Sequence, residues 1–254
     1  MTNRPNEPAQ AEGFEFTALQ GAANYRAALF AEFEPFLLGH VLEIGAGIGQ
    51  ITQILLQKPG IKRLLSVEPN MRFASRLRSQ FPQLELVQGT IDDVPAAWAL
   101  DAILSINVLE HIEADERELS SYHQRLSMRQ GTLCLFVPAR PEIFGPIDRD
   151  FGHFRRYTRA ELRTKLKVAG FDIQRLVYFN LLGYFAWWWN FCLLKKRSFA
   201  APMVRIFDRS IFPLQHQFEA HVFRPPIGQS LLAVATATCP PPGQQLAARD
   251  SRDF

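Results

Sequence analysis

The residues best suited to chemistry open at Val41-Leu42-Glu43-Ile44-Gly45-Ala46-Gly47-Ile48-Gly49-Gln50-Ile51-Thr52. An apolar run with the width of a strand enters three glycines at alternate positions, and a helical pattern follows. Glycine allows a tight turn and lets backbone approach a ligand closely, and the N-terminus of the following helix offers N–H groups to a carboxylate. A second apolar run, Leu64 to Val67, ends in Glu68-Pro69-Asn70. A carboxylate at the end of the second strand, about 20 residues after such a loop, can accept both hydroxyls of a ribose. The pyrophosphate fingerprint requires glycine or alanine at the sixth position of G-x-G-x-x-G. Counting from Gly45 that position is Gln50, and counting from Gly47 it is Thr52. The loop therefore favours a nucleoside ligand other than a nicotinamide dinucleotide.

A second group of chemistry-bearing residues is Asp148, His153, Arg155, Arg156 and Tyr157, all within ten positions. They offer a base and two fork-shaped anion ligands. On that reading Asp148 and His153 are the catalytic candidates, and His111, Arg155, Arg156 and Tyr157 the candidate substrate ligands. An internal network that fixes a lid is the alternative. The three cysteines, Cys134, Cys192 and Cys239, lack metal-type spacing, and no metal site is expected.

These residues need a scaffold that brings strand ends together. Apolar periodicity predicts helices over 25–38, 48–57, 71–80, 114–128 and 158–168, with Thr158 and Glu161 as a capping box. It predicts strands at 41–44, 63–67, 84–87, 102–106, 132–137, 171–179 and 230–238. Alternating β-α units with fully apolar strands imply a parallel sheet covered by helices on both faces. Residues 180 to 228 form an insertion that fits no β-α repeat. The polar, proline-bearing ends, 1–20 and 239–254, are expected to be disordered around one domain over 21–238.

With Asp101-Ala102-Ile103-Leu104-Ser105-Ile106-Asn107-Val108-Leu109-Glu110-His111-Ile112, the glycine loop and Glu68 resemble class I S-adenosylmethionine-dependent methyltransferases of the small-molecule type. Asp148 to Thr158 is similar to a D-x-x-x-G-H-x-R-R-Y-T stretch in a bacterial subset of them. The resemblance covers roughly 25–179 and the last strand. It implies a Rossmann-like sheet of seven strands, one of them reversed near an edge, and S-adenosyl-L-methionine as cofactor. It further implies that Gly45, Ala46 and Gly47 line the methionine part, that Glu43 lies near its amino end, and that Glu68 and Pro69 meet the ribose. Asn107 and Val108 would flank the sulfonium and adenine. Where the family commonly has an acid for the adenine amino group this sequence has Thr90, so Thr90, Ile91 or Asp92 takes that contact.

Composition bounds the rest. The net charge of +3 is uneven: residues 149–209 hold 13 Lys/Arg against 4 Asp/Glu. Within that basic third, 176–194 is aromatic, has no formal charge and ends in Lys195-Lys196-Arg197. Such a segment suits a lipid-linked acceptor or peripheral contact with a membrane. Asn180, Gly183 and Asn190 interrupt it, and its start is needed as a strand, so it is not expected to span a bilayer. The expected location is the cytoplasm, with the inner membrane face as a contact, because no apolar leader core opens the chain. The acceptor is expected to be a small or lipid-linked molecule methylated at oxygen, and a hydroxyl acceptor needs a base near the reacting atom. Nucleic acid is not expected, because no N-P-P-type motif follows the fourth strand. The competing reading is a non-catalytic module of the same fold that binds a membrane or protein partner through its aromatic insertion.

Overall fold

The computed structural model describes residues 21–198 and 200–239. The ends expected to be disordered, 1–20 and 239–254, lie outside these residues apart from Cys239. The chain opens with helix α1 (Ala23–Phe33), then β1 (Gly39–Ile44), α2 (Gln50–Leu55), β2 (Ile61–Val67), α3 (Met71–Gln80) and β3 (Glu85–Val87). It continues through β4 (Ala102–Ile106), α4 (Asp115–Ser127), β5 (Thr132–Pro138), α5 (Pro146–Asp150), α6 (Arg159–Val168) and β6 (Phe171–Phe179). The insertion follows as α7 (Leu181–Trp187), α8 (Ala201–Ile206) and α9 (Phe212–His221), and β7 (Ser230–Ala237) closes the sheet.

Seven strands form one sheet in the order β3-β2-β1-β4-β5-β7-β6. The first five are parallel, and β7 runs antiparallel between β5 and β6. The order reverses between β1 and β4, which makes the carboxyl ends of those strands the crevice where an open α/β sheet receives ligand. Strand side chains alternate between two cores. Leu42, Ile44, Ile103 and Leu135 face α4 and α6, whereas Val41, Leu104, Cys134 and Phe136 face α1, α2 and α9. Helices therefore cover both faces, as the unbroken apolar strands require. Helix α6 starts at the expected cap, where Thr158 Oγ1 accepts from Glu161 N–H at 3.1 Å, and at the start of α3 the Asn70 side chain accepts from Arg72 N–H at 2.9 Å.

The insertion is helical and packs on its own domain. Beyond α7 the helix widens into a π turn over Trp188–Leu193, and a second π turn, Phe207–Ile211, joins α8 to α9. Buried Asp208 in that second turn accepts from the N–H groups of Asn24 at 3.1 Å and Tyr25 at 2.8 Å. A carboxylate there satisfies amides at the start of α1 that have no helical partner, and so ties the N-terminal helix to the insertion. Glu219 does the same for α7, accepting from Leu181 N–H at 2.8 Å. Trp187 and Phe191 bury themselves against Ile143 and Ile147. No helix among the described residues is long and apolar enough to cross a membrane.

Candidate functional site

The glycine loop is a closed backbone turn. Gly45, Gly47 and Gly49 all have positive φ, at 71°, 55° and 83°. The N–H groups of Gly45 and Ala46 donate to Val67 carbonyl at 2.9 and 3.1 Å, and Gly49 N–H donates to Ala46 carbonyl at 2.9 Å. These three amides shape the corner. A Cβ on Gly45 would stand 2.5 Å from Val108 Cγ2. Glycine is thus required twice at that position, by conformation and by contact.

Glu68 reaches the same corner. Its Oε2 accepts from Gly47 N–H at 2.7 Å and its Oε1 from Asn70 N–H at 2.8 Å. Both oxygens hold the ends of β1 and β2 in register. A carboxylate has about four acceptor positions, so one such group can hold amides and hydroxyls together. Glu43 is buried, and its Oε2 accepts from Thr52 Oγ1 and Ser66 Oγ, each at 2.7 Å. Burial raises its pKa to about 7 against the pull of those two bonds.

A cavity of about 1350 Å³ opens over this corner. Its wall includes Glu43, Gly45, Ala46, Gly47, Glu68 and Pro69, then Thr90, Ile91, Asn107, Val108 and His111. Asn107, at the tip of β4, has φ 51° and donates its N–H to Phe136 carbonyl at 2.9 Å. Asparagine tolerates that left-handed geometry better than most side chains. The volume exceeds the roughly 300–1,000 Å³ of a typical small-molecule pocket, so a nucleoside-sized ligand leaves room for a second molecule.

Several expected residues lie elsewhere. Asp92 is exposed, 3.5 Å from Arg117 on the surface, and is absent from the wall; its neighbour Asp93 accepts from Thr90 N–H at 2.8 Å and fixes the turn that presents Thr90 and Ile91. Asp148 and His153 are not on the wall either. Asp148 is fully buried; its Oδ1 accepts from Arg156 Nε at 2.8 Å and lies 3.1 Å from His153 Nδ1, while its Oδ2 accepts from Gly145 N–H at 2.8 Å. Burial alone would raise its pKa, but the bonds from His153 and Gly145 and the charge of Arg156 outweigh it and hold the carboxyl below its ordinary value. An acid held that firmly as an anion, away from the cavity, is a poor proton carrier.

Arg155, Arg156 and Tyr157, the expected anion and substrate ligands, also make internal contacts. Arg156 is buried, donates to Ala139 carbonyl at 3.1 Å and lies 4.4 Å from the Trp187 ring centre. Arg155 pairs with Asp115 at 2.8 Å and donates to Glu113 carbonyl. Tyr157 is fully buried and donates to Asp115 Oδ2 at 2.9 Å. The D-x-x-x-G-H-x-R-R-Y-T stretch therefore locks the segment after β5 against α4 and α7. The short spacing is what a self-bonded turn needs, and spacing alone does not separate that from a substrate site.

His111 does reach the cavity. Its pKa falls to about 4 through burial, with the neighbouring His153 adding to the effect. Other wall residues were not expected at the cavity: Tyr25 and Arg26 from α1, Phe73 from α3, Glu118 from α4, Arg149 and Phe151 from the α5 turn, and Arg197 from the insertion. Only the fold brings these segments together.

Part of the chain is similar to known methyltransferases. Residues 41–128 match a family model described as "Methyltransferase domain". A protein of Alkaliphilus oremlandii named as an uncharacterized methyltransferase is 29% identical over 89 residues, which is 35% of this chain and 38% of that protein. The match thus spans well under half of the curated relative. A chain from the complex of the Haloferax volcanii Trm112 methyltransferase activator with a methyltransferase superposes with a TM-score of 0.61, at 16% identity, covering 93% of this chain and all of the other. An S-adenosylmethionine-dependent methyltransferase of Mesorhizobium loti gives a TM-score of 0.56 at 17% identity, over 84% of this chain and 98% of that one. Residues 41–128 thus match a methyltransferase-domain model, and the fold is one shared with an S-adenosylmethionine-dependent methyltransferase.

Proposed function

We propose that this protein is an S-adenosylmethionine-dependent methyltransferase acting on a small or lipid-linked acceptor, at oxygen. The observation that carries the reading is the cavity at the β1/β4 crevice, walled by the glycine loop, Glu68 and the Asn107-Val108 tip. When bound, S-adenosylmethionine supplies a methyl group on a positively charged sulfur, so much of the driving force lies in the donor.

The chain's own task is alignment. Glu43 and the loop take the amino-acid end, with Glu43 able to lose its proton beside a cationic amine. Glu68 accepts from the ribose hydroxyls, and Ile91 and Val108 enclose the base. Holding donor and acceptor in line can remove roughly 7–11 kcal/mol of the barrier. On the acceptor side His111, kept neutral by burial, offers an imidazole nitrogen to a hydroxyl.

Support for a lipid-linked acceptor comes from the insertion. Phe185, Trp188, Trp189, Leu193 and Leu194 are exposed beside Lys195, Lys196 and Arg197, and Arg197 also lines the cavity. Exposed aromatic and aliphatic side chains next to a cationic cluster fit an interface with anionic lipid. Trp187, by contrast, is buried, so a membrane test must leave it intact. Vesicles containing anionic lipid should co-sediment the wild type and release a Trp188→Ser/Trp189→Ser variant; equal sedimentation of both would remove this part of the reading.

Calorimetric titration tests the enzyme assignment. S-adenosylmethionine should bind at one site, NADH should not, and Glu68→Ala should weaken the donor at least tenfold. Protein indifferent to the donor would overturn the proposal. Mass spectrometry of extracts incubated with isotopically labelled donor would then find the acceptor.

A further inference from the structure

A cluster of ligand-type side chains stands behind the acceptor end of the cavity. Glu110 and His111 follow β4 in a short 3-10 turn, and His153 arrives from the segment after α5. One coordinating atom from each of the three lies within 4.8 Å of the other two. Glu110 is fully buried, the His153 side chain is 5% exposed, and His111 lines the cavity. The two imidazole rings meet edge to face, 4.7 Å between centres.

Both rings are oriented from outside the cluster. Asp148 Oδ1 engages His153 Nδ1, so Nε2 is the nitrogen that ring offers. The backbone of Gly152 bonds His111. A carboxylate or carbonyl on one imidazole nitrogen fixes the tautomer and raises the basicity of the other, which is the usual outer-shell arrangement around a metal-binding histidine.

We propose that Glu110, His111 and His153 bind one divalent transition-metal ion at the acceptor side of the cavity. Two imidazoles and one carboxylate suit zinc, manganese, iron(II) or cobalt(II) better than magnesium or calcium, which prefer all-oxygen shells. Metal–ligand bonds of about 2.0–2.2 Å require the three side chains to draw inward on binding. Three protein ligands leave coordination positions open, and His111 places them toward the cavity. An acceptor hydroxyl bound there would be acidified by the ion, in place of a direct hydrogen bond to His111, and held near the donor. That use rests on the methyltransferase reading; the metal site itself does not.

The test uses untagged, chelator-treated full-length protein with cobalt(II) and zinc(II) as probes and no methyl donor. Equilibrium dialysis should find one ion per chain, and bound cobalt should show visible ligand-field absorption that zinc abolishes. His111→Gln, at a partly exposed position, should lower affinity at least tenfold while the circular dichroism spectrum is unchanged, and Glu110→Gln should do the same. Wild type that binds no stoichiometric ion, or His111→Gln that binds like wild type, would overturn the site. If Glu110→Gln fails to fold, His111→Gln decides alone. Titrating donor into the metal-free protein separates the two ideas: donor binding without any metal binding refutes the metal site and leaves the enzyme assignment standing.

Discussion

Replacing Glu43 by Gln should flatten the dependence of stability on pH near neutrality. The Glu43 carboxyl is buried and has a pKa of about 7, against 4.5 in its ordinary setting. Below pH 4.5 the group is protonated whether the chain is folded or not, and it contributes nothing. Between 4.5 and 7 the unfolded chain releases the proton while the folded chain keeps it, so stability falls as pH rises. Above 7 both states are ionised and the loss stays constant. At about 1.4 kcal/mol per pH unit, the full loss is roughly 3 kcal/mol. For a domain of this size about 1 kcal/mol moves Tm by roughly 2–4 °C, which makes the change readable. Gln keeps an acceptor for Thr52 Oγ1 and Ser66 Oγ but adds a buried NH2, which costs about 1–3 kcal/mol if it finds no partner. That cost is the same at every pH, so the informative quantity is the difference between the two profiles. Urea or thermal unfolding of both proteins from pH 4.5 to 8 should show the gap shifting by roughly 3 kcal/mol in favour of Gln at the alkaline end. Parallel profiles would refute a carboxyl that stays protonated to neutrality.

Gly45→Ala should cost about 1–2 kcal/mol from the left-handed backbone alone, and the clash with Val108 should weaken donor binding at least tenfold; calorimetry and urea unfolding read the two effects separately. Asp148→Asn removes the anion bonded to buried Arg156 and should destabilise by about 3–5 kcal/mol, seen as a lower denaturation midpoint. Tyr157→Phe should lose about 1–2 kcal/mol with its bond to Asp115 yet leave the acceptor KM unchanged; a raised KM with normal stability would restore Tyr157 as a substrate ligand.

The local parts of this protein were written in its sequence. The strand limits at 102–106 and 171–179, the helix at 71–80 and the Thr158 cap follow from periodicity and from side-chain-to-backbone bonds spanning a few residues. The glycine loop and Glu68 were legible for the same reason, since each sits at the end of its own strand and Gly45 has no substitute at its φ. What sequence could not decide was the direction in which a side chain points once segments far apart have packed. Asp92 and Asp93 are neighbours and both exposed, yet one lies beside Arg117 and the other closes the Thr90 turn. The charged and aromatic residues of 148–157 suit a catalytic loop and an internal lock equally well, and burial under Trp187, which comes from the insertion, made them a lock. Conversely, Tyr25, Arg149 and Arg197 gained a place on the cavity wall only because α1, the α5 turn and the insertion converge there. Backbone preference acts over a few residues and can be read from one stretch of chain. Burial, and with it the pKa of Glu43 or the meeting of His111 with His153, is a property of the whole packed molecule.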